Sequence, residues 1–356
     1  MEIKTILYLL AVSGGFLLTL ILTPAVIRLA LKFKVIDQPE TNERKIHASP
    51  IPLLGGLAIF ISVFVLIFLF RFYHLANFSK IPDQFLWAVF VGGLFIMIGG
   101  FLDDKFNLKP LKQIIWPTLA ALVAVWAGVR IGFVTNPIGG QENSIIYLGA
   151  GAGLVLSFLW LMGMMYTTKF LDGLDGLVSG ITAIACLIIF LLSLDWDVKM
   201  SATSFIALIL GGSALAFLFF NWHPAKIFLG EGGSIFFGFM LGVLSIISGS
   251  KITTTLLVIG VPALDVLWVI IQRLLKRESP FSHADRKHLH FRLFDLGFSH
   301  RGAVLFFYLI ALTFGSIAIF TSSFGKLIVF LALIAVMIFL ILIIYFKNAA
   351  QRIRNN

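Results

Sequence analysis

Eleven apolar stretches, each close to the length of a membrane crossing, decide what this chain of 356 residues can become. A spanning helix needs roughly 20 mostly apolar residues, because every backbone N–H and C=O in the hydrocarbon must be satisfied within the segment. The stretches cover 5–31, 53–72, 85–101, 114–132, 148–165, 177–194, 201–220, 235–248, 252–274, 302–320 and 326–346. The expected fold is an all-α polytopic membrane protein with about 11 transmembrane helices, forming one integral membrane domain over 1–356. Only 12% of residues are charged, where a soluble domain has about 25%. That excludes a soluble enzyme and a disordered chain. Cys186 is the only cysteine, so no intrachain disulfide forms. The first stretch is too long for a cleavable signal, and no small-residue cleavage site precedes the basic segment 32–34, so it reads as a retained span. Between 131 and 147, the turn-rich run Asn136-Pro137-Ile138-Gly139-Gly140 sits between β-prone ends and predicts a small outer hairpin.

The net charge is +10, which in a soluble protein would suggest nucleic acid. Its distribution argues otherwise. With the N-terminus outside and the C-terminus cytoplasmic, 20 basic residues fall on inner segments and 7 on outer ones. This is the positive-inside bias, and it accounts for the basicity with no nucleic-acid partner. Twelve of the 17 acids share the inner side, as do His47, His223, His283, His288, His290 and His300. Carboxylates near a bilayer are costly unless paired, metal-bound or wet. The inner loops near 32–52, 102–113, 166–176, 221–234 and 275–301 are therefore the candidate site.

Four clusters stand out there. Asp103-Asp104 ends the third stretch. Adjacent carboxylates repel, and a divalent cation favours their ionised forms; a helix-end cap with Lys105 and Lys109 as partners is the simpler alternative. Asp172-Gly173-Leu174-Asp175-Gly176 follows the fifth stretch. Its two aspartates lie on one face if helical, or in two Asx turns if not. Gly230-Glu231-Gly232-Gly233-Ser234 opens the eighth helix. Its amides suit phosphate, and Glu231 suits Mg²⁺; a carboxylate on the helix dipole is the alternative. The basic segment 283–293 suits phosphates, with an anionic-lipid patch or a zinc site of Asp285, His288 and His290 as alternatives. Asp265 lies inside the ninth stretch and is either functional or a structural partner of Arg273 or a lysine. The loop from Arg44-Lys45-Ile46-His47 through Pro50, Pro52, Gly55 and Gly56 is cationic and stiffened by proline.

In this order, with Leu108 and Pro110, Asn221…His223-Pro224-Ala225, Phe228-Leu229-Gly230…Gly233-Ser234, Pro262…Asp265 and Asp285-Arg286…His288-Leu289-His290…Arg292-Leu293, the motifs resemble the polyprenyl-phosphate N-acetylhexosamine-1-phosphate transferases. They look closer to the WecA/TagO branch than to MraY. The resemblance implies transfer of a sugar-1-phosphate, with GlcNAc-1-phosphate expected, from a UDP-N-acetyl-sugar to polyprenyl (undecaprenyl) phosphate. UMP is released, as the first membrane step of a cell-wall or surface glycan. It implies Mg²⁺, with Mn²⁺ as a substitute, an active site on the cytoplasmic face of the cell membrane, and room for a homodimer. It implies Asp103, Asp104, Asp172 and Asp175 as catalytic and Glu231 with Asp104 as metal ligands. It assigns substrate binding to Lys45, His47, Lys112, Lys169, Asn221, Gly230, Ser234, Asp285, Arg286, His288, His290 and Arg292. An MraY-type phospho-MurNAc-pentapeptide transferase and a transporter of an anionic substrate are the rival readings. Five positions depart from the family pattern. Tyr166 and Lys169 stand where two asparagines are usual, Glu231 where an aspartate is, Gln113 beside Lys112 where a lysine is, and Phe291 where a histidine is.

Overall fold

A computed structural model describes residues 2–39, 49–79, 81–138, 145–198, 200–248, 252–275, 277 and 288–355. All eleven apolar stretches are helical. They correspond to α1 (Glu2–Phe33), α2 (Gly55–Phe72), α3 (Asp83–Phe106), α5 (Ile115–Trp126) with the preceding turn α4 (Pro110–Gln113), α6 (Ala150–Leu171) and α7 (Leu177–Trp196). Next come α8 (Ala202–Asn221), α9 (Gly230–Ile247), α10 (Ile252–Val258) with α11 (Gly260–Leu275), α13 (His300–Phe320) and α14 (Ser323–Asn355). A short α12 (Leu289–Asp295) precedes α13. Two small antiparallel pairs complete the described residues: β1 (Ile36–Asp37) with β2 (Ile51–Pro52), and β3 (Phe133–Thr135) with β4 (Ile145–Tyr147). The second is the expected small hairpin, with Phe133 opposite Tyr147.

Two of the eleven apolar stretches are not simple rods. Among the described residues nine helices are long and apolar enough to span, or ten if α10 and α11, bent by 82° to each other, count as one span, against the about 11 expected. Pro262 has no N–H to give the carbonyl of Val258, one turn back, and the helix breaks there. The fourth stretch is shorter than a standard span. Pro117 withholds the same bond from Gln113, which separates α4 from α5. The chain nevertheless runs from one end of the bundle to the other. α3 ends beside α4, while Ala127, just past α5, accepts a 3.2 Å hydrogen bond from Gln84 Nε2 at the start of α3.

The loops sort to two ends. At one end Asn77 bridges to Ser201, Ile131 N–H donates to Ser157 Oγ at 2.8 Å, and β3 pairs with β4. At the other, Gly55 and Gly56 donate to the carbonyls of Phe228 and Leu229 at 3.0 and 2.9 Å. This division matches the alternation read from the charges. The helices also run past the hydropathy boundaries. α3 continues through Asp103 and Asp104, α6 through Lys169, and α9 begins at Gly230. Helical hydrogen bonding does not stop where apolar side chains do, so these charged residues sit on rigid terminal turns.

α9 is the axis of the bundle. In its most apolar window 89% of residues are buried, against 11% in α14. α14 and α1 instead present Leu331, Phe339, Leu9 and Ile21 outward, as a lipid-facing perimeter requires. Glycine sets how near α3 comes to α9. A Cβ on Gly100 would lie on the backbone N and Cα of Gly232, so only bare backbone permits the approach.

Candidate active site

The close approach at Gly100 brings the end of α3 onto the start of α9. Asp104 accepts the Glu231 N–H with both carboxylate oxygens, at 3.0 and 3.2 Å. The amide terminus read from sequence as a phosphate cradle is thus already capped by a carboxylate. Gly230 makes this possible: its φ is +72°, and a Cβ there would collide with Asp104 Oδ2. Asp103 turns back on its own chain, where Oδ1 accepts Leu108 N–H and Gln113 Nε2, each at 2.9 Å. Asn107, in the left-handed region at φ 53°, lets α3 end in that turn. Lys105 is not the partner of these acids; its ammonium lies over the rings of Phe33, Phe101 and Phe106.

Opposite them, Lys169 Nζ forms an ion pair with Glu231 and donates to Gln113 Oε1 at 3.1 Å. Both side chains of the pair are 16% exposed. Asp103, Gln113 and Glu231 line one small cavity with Gly99 and Trp116. The charges of Asp103, Asp172 and Glu231 all act on Asp104. Four carboxylates from α3, the α6–α7 turn and α9 therefore converge at one end of the bundle.

The Asp172–Asp175 segment is not helical. α6 stops at Leu171 and α7 starts at Leu177, with Gly176 at φ +82° between them. The two aspartates accordingly part company. Asp172 joins the acid group, whereas Asp175 Oδ2 accepts from His223 Nδ1 at 2.7 Å and from Ala225 N–H at 3.1 Å. The Asp175 N–H donates to His300 Nε2 at 3.0 Å, and the His223 and His300 rings stack 4.0 Å apart. That bond puts the remaining proton of a neutral His300 on Nδ1. Arg301 donates to the His223 carbonyl, and Tyr308 O–H to the Gly176 carbonyl.

The other expected residues fall into place around this framework. Asn221 is buried; its Oδ1 accepts Gly176 N–H and its Nδ2 donates to Ile227 O, both at 3.0 Å. Ser234 Oγ donates to the carbonyls of Gly230 and Glu231 within its own helix. Lys112 is exposed; its neighbour Gln113 is the residue that enters the site. His288 is buried, with Nδ1 2.9 Å from Asp265 Oδ2 and its ring over Phe170. Asp265 Oδ1 also accepts Leu289 N–H at 2.9 Å, so this intramembrane acid anchors the start of α12 rather than pairing with a lysine. Arg292 is half-buried on α12, His290 lies in α12, and Phe291 is buried. Lys45, His47, Asp285 and Arg286 lie outside the described residues. Sequence reasoning missed Gln113, His223, His300 and Tyr308 as members of the site. For His223 the signal was its place within the Asn221-to-Ala225 motif.

Two groups carry donor chemistry for a metal, and among the described residues only Asp175, His223 and His300 bring three ligand atoms together. The acid group offers only oxygen ligands, which suits a hard cation such as Mg²⁺. Asp175, His223 and His300 also bring ligand atoms within 4.8 Å of one another. Their imidazole planes differ by only 13° in a face-to-face stack. An ion lies near the plane of each ligating ring, so this pair would have to unstack to share one. The oxygen donors of the acid group have the chemistry that a hard divalent cation prefers.

Residues 86–249 match Glycosyl transferase family 4. Over 315 residues the chain is 34% identical to a probable undecaprenyl-phosphate N-acetylglucosaminyl 1-phosphate transferase of Bacillus subtilis, covering 87% of this chain and 83% of that one. The chain belongs to this family. It is therefore a membrane-embedded phosphoglycosyl transferase of the WecA/TagO kind. A decaprenyl-phosphate N-acetylglucosaminephosphotransferase of Mycolicibacterium smegmatis is 34% identical over 304 residues, with 79% of this chain and 74% of that one covered. A phospho-N-acetylmuramoyl-pentapeptide-transferase of Borreliella afzelii is 30% identical over 345 residues, covering 86% and 92%. The family match spans α3 to α9, the elements that carry all four converging acids.

Proposed function

We propose that this chain transfers GlcNAc-1-phosphate from UDP-GlcNAc to undecaprenyl or a similar polyprenyl phosphate on the cytoplasmic face of the cell membrane. An oxygen of the lipid phosphate attacks the β-phosphorus of the UDP-sugar. The new P–O bond forms as the bond to the bridging oxygen breaks, and UMP leaves with that oxygen. The convergence of Asp103, Asp104, Asp172 and Glu231 at one end of the bundle carries this reading. Phosphoryl transfer is mostly positioning and charge neutralisation. Asp104 and Glu231, with Asp172 beside them, would hold Mg²⁺. Bound there, the ion supplies charge neutralisation for the diphosphate and the departing UMP.

The protein's own groups do the rest. Asp103 assists or deprotonates the attacking lipid phosphate. Asp175 acts as a positioning residue: through His223 and Ala225 it ties the Asp172 turn to the loop before α9. Lys45, His47, Arg286, His290 and Arg292 supply cationic contacts to the sugar-nucleotide, while Asp265 and His288 hold the base of that basic loop. The higher identity to the N-acetylglucosaminyl relatives favours GlcNAc over the pentapeptide substrate. Charged groups gathered at one end of the bundle, instead of at its midplane, favour a transferase over a transporter.

The test is UMP release by purified protein given polyprenyl phosphate, Mg²⁺ and either UDP-GlcNAc or UDP-MurNAc-pentapeptide. Turnover with UDP-GlcNAc alone is expected. Absence of UMP with every UDP-N-acetyl-sugar and every divalent cation would sink the proposal.

A further inference from the structure

The acid group already contains a cation of its own. Lys169 stands on the last turn of α6 with its ammonium on Glu231 and on Gln113 Oε1, while Gln113 Nε2 binds Asp103. The result is a continuous chain of contacts, Glu231–Lys169–Gln113–Asp103, in which Glu231, Gln113 and Asp103 line the cavity. Glu231 cannot offer its carboxylate fully to a divalent ion while it holds an ammonium, and two cations on one carboxylate repel. Glu231 is also one methylene longer than the aspartate usual in the family, which gives it the reach to meet Lys169. Tyr166, one turn earlier on α6, places its ring 5.6 Å from the same ammonium and helps to hold it there.

We propose that Lys169 is a built-in competitor for the divalent cation: its ammonium neutralises Glu231 when no metal is bound and must leave when one enters. The displaced ammonium then stands free, beside the cavity, to meet the diphosphate of the incoming sugar-nucleotide. Cation entry and substrate contact are thereby coupled through one side chain. This inference rests on the acid group being the cation site of the transferase.

The competition is measurable without turnover. Full-length protein in detergent or nanodiscs is titrated with Mn²⁺, and free ion is read by its electron paramagnetic resonance signal. Lys169→Met removes the charge at nearly constant length and should tighten Mn²⁺ by about tenfold or more. Lys169→Gln should do the same, which covers a failure of the first variant to fold. Lys169→Arg keeps a cation and should stay within about twofold of wild type. Melting midpoints recorded with and without Mn²⁺ should show the larger metal-induced rise in the Met and Gln variants.

Equal or weaker Mn²⁺ binding in both neutral variants would overturn the proposal. So would the lack of any Mn²⁺ binding by wild type and variants up to about 1 mM. UMP release by wild type, measured separately, decides the transferase reading: turnover with unchanged Mn²⁺ affinity in the neutral variants refutes only the competition.

Discussion

Gly100→Ala tests whether the α3–α9 contact builds the site. The added methyl would fall on Gly232 N and Cα, both backbone atoms that no rotamer can move aside. Ordinary van der Waals contact begins at 3.4 Å, so the two helices must part locally by about 1 Å. Glu231 is next to Gly232, and its N–H lies 3.0 Å from Asp104 Oδ1. The same displacement would stretch that bond to about 4 Å, outside hydrogen-bonding range. Overpacking of this kind costs about 1–3 kcal/mol of stability, and a 1 Å shift of catalytic groups costs about 100-fold in rate. The expected result is a lower melting temperature and UMP release reduced by about two orders of magnitude. Gly163→Ala is the control. It also lies in a helix, but a Cβ there meets nothing within 4 Å, so activity should not change and stability should rise by about 0.5–1 kcal/mol. A Gly100→Ala protein with wild-type turnover and an unchanged melting point would falsify the helix interlock.

Three further outcomes are expected, two from the hydrogen bonds and one from the metal. Asp265→Ala strands the Leu289 N–H and the His288 ring; it should loosen α12 by about 2–3 kcal/mol, seen as faster amide hydrogen exchange across 288–295, and unchanged exchange would refute the anchor. Asn221→Ala removes the buried bridge from Gly176 and Ser179 to Ile227. It should destabilise the protein by about 2 kcal/mol or more in thermal unfolding, with no rescue by Asn221→Leu, which fills the space but makes no hydrogen bonds. Chelation of divalent cations should abolish UMP release, and added Mg²⁺ or Mn²⁺ should restore it; full activity in chelator would remove the metal from the reading.

Part of the site was readable before any folding. Asp103, Asp104, Asp172 and Glu231 are acids beside apolar stretches, and a carboxylate in that setting already demands an explanation. Their partners were not readable. Asp172 and Asp175 look equivalent three residues apart, yet the chain between α6 and α7 is not helical, so one joins the acid group and the other meets His223. Lys112 was expected in the site, but the turn of α4 directs Gln113 there and leaves Lys112 exposed. His300 lies 125 residues from the Asp175 amide it accepts from. No local spacing encodes that contact.

What the sequence determined by itself was the placement and order of the apolar helices and the end of the bundle that carries the acids. Those follow from hydropathy and charge, which act residue by residue against the bilayer. The tertiary structure alone decided that Asp104 caps α9 across 127 residues, that Lys169 rather than solvent neutralises Glu231, and that the ninth apolar stretch bends by 82° between α10 and α11. These depend on how closely two helices approach and on which side chain has the length to reach across. Both are properties of packing, in which a single hydrogen in place of a methyl at Gly100 sets the distance.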